Sequence, residues 1–134
     1  MRAVLDPNIL ISALLSRSGA PGELIARWLA GGFELVLSEL LLDELARALA
    51  YPKLRARVAA SDADEFVELL RATGAVAADP PKPARRSSDR GDDYLLALAE
   101  SKRAILVSGD RHLLELADRF PVQTALGFLD SLVA

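Results

Sequence analysis

Short apolar runs alternate along the chain with longer stretches whose apolar positions recur at helical spacing. Residues 3–5 form the first run, stopped by Asp6 and Pro7, and predict a strand. Residues 8–16 are apolar with small residues and predict a helix. Pro21 suits the first position of the next helix, which Gly31 and Gly32 end. Residues 33–37 predict a second strand, and Ser38 suits the cap of a helix running through Ala50. A short helix follows over 53–58. Ser61 then begins another, with Asp64 in a weak capping box and Gly74 past its end. Residues 75–78 predict a weak third strand. Residues 79–91 hold three prolines, three arginines, two serines and a glycine, and read as a loop. A buried helix over 92–102 contains the continuous apolar stretch 94–99. A fourth strand over 104–107, a helix over 110–117, a short fifth strand over 122–124 and a final helix over 126–133 complete the chain.

Strands of three to five apolar residues separated by helices predict an α/β fold, a parallel sheet covered on both faces. The 134 residues are expected to form one domain, 1–134, large enough for a full core without staples. Ala and Leu make 49 of the 134 residues, so helix should dominate. The absence of cysteine excludes a disulfide framework, a thiol nucleophile and cysteine-containing zinc sites. The single histidine, His112, excludes histidine clusters. Aromatics at 5% argue against a base-stacking platform. A net charge of −3 argues against a protein that only neutralises phosphates. No apolar run approaches a membrane span and no signal peptide is evident, so a cytoplasmic location is expected.

Open parallel sheets place their sites beyond the carboxyl ends of the strands, where strand order reverses. Asp6 directly follows strand one, and Asp110 follows strand four across Ser108 and Gly109. If those strands are neighbours, the two carboxylates face each other. Each acid also suits a helix cap. On the third predicted helix Leu41, Leu45 and Leu49 form one apolar stripe. Glu44 lies at its border, and Asp43 lies opposite, where it can pair with Arg47. Asp92 and Asp93 open the most apolar helix, where the helix dipole accounts comfortably for one acid but not obviously for three with Asp89.

The segments VLDPNILISALLS, LSELLLDELARAL, SDRGDDYLLALA and LVSGDRHLL occur in the order expected of a PIN domain. They resemble most the VapC-like toxin components of bacterial toxin–antitoxin systems, over about residues 1–134. The resemblance implies a metal-dependent nuclease with a five-stranded sheet ordered 3-2-1-4-5. It places the family acids on Asp6, Glu44, Asp93 and Asp110, with Asn8, Asp92 and Ser108 in support. It also implies a cognate antitoxin and a homodimer, for which the apolar helical surface of residues 21–58 would serve. Pro7 stands where a hydroxyl residue is often found, and His112 where an acid is frequent; no core acid is missing.

Converging carboxylates repel one another, and a divalent cation resolves that repulsion. An all-oxygen donor set suits Mg²⁺ or Mn²⁺ and disfavours zinc. Asp6, Asp93 and Asp110 are the expected metal ligands, and Glu44 binds a metal through water or orients the attacking water. Arg17, Arg85, Arg86, Arg90 and Arg111 fall in loops or at helix starts near the expected carboxyl edge and are candidates to hold an RNA backbone, or ordinary surface cations. The expected activity is endoribonuclease cleavage of RNA. The alternative is a catalytically silent PIN-like scaffold that binds RNA or protein. A haloacid-dehalogenase phosphatase needs an acid where Asn8 stands, and a receiver domain needs a lysine after strand four, whereas Lys102 precedes it. No glycine-rich phosphate loop is present.

Overall fold

The computed structural model describes residues 1–81 and 93–133. Its elements are β1 (Arg2–Leu5), α1 (Pro7–Leu15), α2 (Ala20–Leu29), β2 (Glu34–Leu37), α3 (Glu39–Leu49), α4 (Pro52–Arg55), α5 (Ala60–Thr73), β3 (Ala75–Val76), α6 (Asp93–Ser101), β4 (Ile105–Val107), α7 (Arg111–Leu114), β5 (Val122–Gln123) and α8 (Ala125–Val133). The five strands form a parallel sheet in the order β3-β2-β1-β4-β5. β1 is central. Ala3 pairs with Leu35 on one side and Ile105 on the other, and Leu5 pairs with Val107.

Successive strand residues point to opposite faces of a sheet. Ala3, Val4 and Leu5 are all fully buried, as are Leu35 and Leu37 with Val36 nearly so, so both faces are covered. This is why the strands read as unbroken apolar runs rather than alternating ones. α6 packs on β1 and β4, α1 packs against α2 and α3, and α8 closes on α2. The Phe128 ring meets Phe33 edge to face at 5.1 Å, a contact worth about 0.5–1.5 kcal/mol beyond its area. Among the described residues no helix is long and apolar enough to cross a membrane.

Local chemistry sets the helix ends. Ser38 caps α3, its Oγ accepting from the Leu41 N–H at 3.3 Å. Gly31, at φ 85°, ends α2 in a Schellman closure: Gly31 N–H donates to the Trp28 carbonyl and Gly32 N–H to that of Arg27. α6 ends in the same way, but the left-handed position is Arg103, at φ 51°. Nothing in the residue type announces that turn.

Three expectations are corrected. α5 starts at Ala60 with Ala59 at its cap and no side-chain cap bond, so Ser61 falls inside the first turn and the Ser61–Asp64 box does not form. The helix after Asp110 is one turn long, and residues 115–120 continue as tight i→i+3 turns that bury Leu116. The third strand is two residues long, extended by one bond from the Ala77 N–H to the Leu37 carbonyl. Residues 82–92, which carry Arg85, Arg86, Arg90 and Asp92, lie outside the described residues.

Two glycines differ sharply in their surroundings. A Cβ on Gly22 would stand 2.6 Å from the Arg17 carbonyl oxygen, a backbone atom of the α1–α2 turn; one on Gly109 meets nothing within 4 Å. Gly22→Ala should therefore lower unfolding stability by about 1–3 kcal/mol, as overpacking does. Gly109→Ala should change it by less than about 0.5 kcal/mol. Urea denaturation followed by circular dichroism measures both.

Candidate active site

The carboxyl ends of β1 and β4 lie side by side, and the chain leaves both through an aspartate. The Asp6 N–H donates to the Val107 carbonyl at 3.0 Å, carrying the ladder one residue past β1. Ser108 is anchored likewise, its N–H donating to the Gln123 carbonyl at 3.0 Å. Asp6 then caps α1: its Oδ1 accepts from the Asn8 N–H at 3.0 Å, while Pro7, lacking an N–H, takes the first helical position. Asp110 caps α7 in the same manner, its Oδ1 accepting from the His112 N–H at 2.8 Å.

Ser108 joins the two acids. Its hydroxyl donates to Asp6 Oδ2 at 2.8 Å, and its Oγ accepts from the Asp110 N–H at 2.9 Å. Asp6 is 5% exposed and Ser108 fully buried, while Asp110 is half-buried. Burial pushes the Asp6 carboxyl above its ordinary value. The Asn8 N–H and the Ser108 hydroxyl pull it back, and the negative charge of Asp110 raises it further. The cap reading is therefore met at both acids: each carboxylate accepts with one oxygen from its own helix, and Ser108 links the Asp6 carboxylate to the Asp110 backbone N–H across the strand boundary.

Asp93 opens α6 and is 4% exposed. Since α6 packs on β1 and β4 and delivers the chain to the start of β4, its first residue lies toward the carboxyl edge that carries Asp6. Glu44 is half-buried on α3 while Asp43 is exposed, as the helical stripe predicts. The Tyr94 hydroxyl donates to Glu44 Oε2, tying α3 to the start of α6 one residue from Asp93. The structure thus connects Asp6, Ser108 and Asp110 as one hydrogen-bonded set, and Glu44 with Tyr94 as another. Among the described residues no group of three or more His, Asp or Glu side chains is arranged to hold a metal ion.

The supporting residues divide. Asn8 contributes its backbone N–H to Asp6, and the residue is exposed. Arg111 is exposed at the start of α7, beside Asp110, and its Nε stands 3.8 Å from Glu115 Oε1. Arg17 lies in the α1–α2 turn and lines a cavity of about 590 Å³ with residues of α1, α2 and α5, none of them one of the four acids. Two residues of the neighbourhood were missed in the sequence. Tyr94 was hidden at the head of the apolar run 94–99, although its position after two aspartates was a signal. Gln123 pairs with Val107, and its Oε1 is buried with no hydrogen-bond partner among the described residues; no feature of a two-residue strand marked it.

A parallel 3-2-1-4-5 sheet with acids at the ends of the adjacent strands β1 and β4 is the α/β arrangement that the resemblance of the four sequence segments implies. The family model described as PIN domain matches residues 2–112, so the chain belongs to the PIN domain family; Asp6, Glu44, Asp93 and Asp110 all fall inside the match. An uncharacterised protein of Methanocaldococcus jannaschii, MJ1680, is 26% identical over 120 residues, covering 88% of this chain and 76% of that protein. PAE2754 from Pyrobaculum aerophilum shares the fold with a TM-score of 0.72 at 20% identity, over 99% of this chain and 96% of that one. VapBC2 from Rickettsia felis, solved with a DNA fragment from its promoter, matches with a TM-score of 0.63 at 14% identity, over 92% and 98% of the two chains.

The raised Asp6 value has a testable sign. The folded chain holds the Asp6 proton more tightly than the unfolded chain does, whose value is near 3.8. The protonated form therefore favours folding, and this contribution is lost as pH rises through the native value. In EDTA, the unfolding free energy of wild type minus that of Asp6→Asn should fall as pH is raised across that window and then level off. A difference that grows with pH would mean that the folded chain favours the charged form.

Proposed function

We propose that the chain is a metal-dependent endoribonuclease of the cytoplasm, a single domain over residues 1–134, and the toxin of a toxin–antitoxin pair. The observation that carries this reading is the buried Asp6 carboxylate linked through Ser108 to Asp110 at the carboxyl ends of adjacent central strands. The donors there are all oxygens. Mg²⁺ needs only one or two carboxylates and keeps waters for its remaining positions, so the Asp6–Asp110 pair suits Mg²⁺ or Mn²⁺, with Asp93 as the further ligand of this reading. A cation there would also offset the burial and like charge that raise the Asp6 carboxyl. When bound, the ion supplies Lewis acidity that activates water and offsets phosphate charge.

The chain's own residues do the rest. The capping bonds and the Ser108 hydroxyl fix the Asp6 oxygens. Tyr94 holds Glu44, which orients the attacking water and accepts its proton at a carboxylate oxygen. Asn8 and Asp92 support the acids. Arg111, and with it Arg17, Arg85, Arg86 and Arg90, hold the RNA backbone through charge-assisted bonds. The fold shared with VapBC structures supports a cognate antitoxin as partner. The chain pairs as a homodimer through the part of the helical surface of residues 21–58 centred on Leu29 of α2, which is 51% exposed. The silent-scaffold alternative draws on the lack of a three-acid metal group among the described residues.

Cleavage of single-stranded RNA that depends on added Mg²⁺ or Mn²⁺ separates the two readings; no cleavage with either ion refutes the nuclease. Glu44→Gln should lower the rate by at least about a hundredfold, the scale of a lost general base. Asp43→Asn, on the exposed face of the same helix, should leave it nearly unchanged. Independently, adding either ion should raise the melting temperature of the wild type, since binding to the native state alone stabilises it, and raise that of Asp6→Asn much less. Equal shifts would remove Asp6 from the ligand set.

A further inference from the structure

α3 and α6 border a cavity of about 440 Å³ lined by Leu40, Glu44, Arg47, Ala48, Tyr51 and Tyr94. Its volume lies in the range of small-molecule sites, about 300–1,000 Å³. Both of the chain's tyrosines are in its wall. The other aromatic residues are spent differently: Trp28, Phe33, Phe66 and Phe128 are buried in the core and Phe120 is half-buried. Tyr51 is 65% exposed, more than any other large hydrophobic side chain among the described residues.

The exposure of Tyr51 does not come from a loose backbone. Its N–H donates to the Ala48 carbonyl at 3.2 Å, and its own carbonyl accepts from Leu54 at 3.0 Å and Arg55 at 2.9 Å. It is the cap residue of α4, and Pro52 follows at the first helical position. A fixed backbone and two side-chain torsions let a tyrosine present an apolar face at low entropic cost. Arg47, on the same wall, is exposed. Among the described residues its one hydrogen bond is from Nε to the Asp43 carbonyl at 3.4 Å. Glu44, one of the four acids the family resemblance singles out, lines the cavity and is held there by the Tyr94 hydroxyl.

An exposed aromatic face, a cation with free N–H groups and a wall shared with Glu44, the residue assigned above to the attacking water, match one kind of occupant. We propose that this cavity is a nucleobase subsite: one base of single-stranded RNA stacks on the Tyr51 ring, and Arg47 takes a phosphate flanking it. The proposal rests on the ribonuclease reading above and adds the contact that selects unpaired RNA. A base in a duplex has both faces stacked already and cannot offer one to Tyr51.

The test uses the full chain in EDTA, so that binding is read without cleavage. The probe is a fluorescein-labelled single-stranded RNA hexanucleotide of mixed sequence, followed by fluorescence anisotropy. Tyr51→Ala should raise Kd at least about fivefold, the lower end of what losing one stacked base does. Tyr51→Phe keeps the ring and should stay within about twofold of wild type. Arg47→Ala should weaken binding and reduce the slope of log Kd against log salt by about one. The subsite is overturned if wild type does not bind the probe or if Tyr51→Ala binds it as wild type does. It is equally overturned if Tyr51→Ala halves the mass found by light scattering, which would assign the cavity to a second copy of the chain. Adding Mg²⁺ to the same samples separates the two ideas. A protein that binds through Tyr51 but does not cut refutes the ribonuclease reading alone. One that cuts, yet binds without regard to Tyr51, refutes the subsite alone.

Discussion

An aspartate buried at the end of the central strand is unfavourable unless its oxygens are occupied. Asp6 occupies its two oxygens in two directions, one on the Asn8 N–H of its own helix and one on the Ser108 hydroxyl from the neighbouring strand end. The second bond depends on β1 and β4 being adjacent and in register, with Leu5 beside Val107. It therefore joins the architecture of the sheet to the chemistry at its edge. Ser108 in turn accepts from the Asp110 N–H, so the position of the second acid follows from that of the first. Even so, Asp6 is left with a raised carboxyl, a residual tension that a cation would relieve.

The helices serve the same edge. α1 and α7 start there with equivalent aspartate caps, which orient both carboxylates while stabilising the helices they begin. α3 and α6 approach from different parts of the chain and are joined by Tyr94 and Glu44. A half-buried glutamate at the margin of an apolar stripe would be an ordinary amphipathic side chain if that hydroxyl did not hold it. With the bond in place, Glu44 has a fixed position in the wall of the cavity that Tyr51 lines.

Membership of the PIN domain family rests on a match over residues 2–112, while the solved structures share the fold at 14–20% identity. Such divergence is expected of a core that asks only for apolar residues of suitable volume at given positions. The edge is more demanding, because a buried carboxylate, a hydroxyl and a proline each have a particular hydrogen-bonding duty there. Composition understates such a place. Few aromatics in the chain as a whole does not mean few in one place, since both tyrosines line the cavity that Glu44 shares.

By itself the sequence determined the kind of layer structure, the five strands and their helices, because unbroken apolar runs and helical stripes are local patterns. It determined that Asp6 and Asp110 leave strand ends, that Glu44 borders a core face and Asp43 does not, and that Gly31 closes α2. The four family segments added the strand order and singled out Asp93 from its acidic neighbours. Other features were decided only in three dimensions. The Ser61–Asp64 cap was lost because α5 is capped two residues earlier, at Ala59, and α7 stopped after one turn while the chain went on burying Leu116 in tighter turns. Arg103 took a left-handed turn that its residue type disfavours, since the closure between α6 and β4 requires one. Tyr94, read as the first member of an apolar run, became the partner of a glutamate fifty positions away. A local pattern reports which face of an element is buried, but a hydrogen bond between side chains on α3 and α6 exists only once the packing of both helices has set their separation.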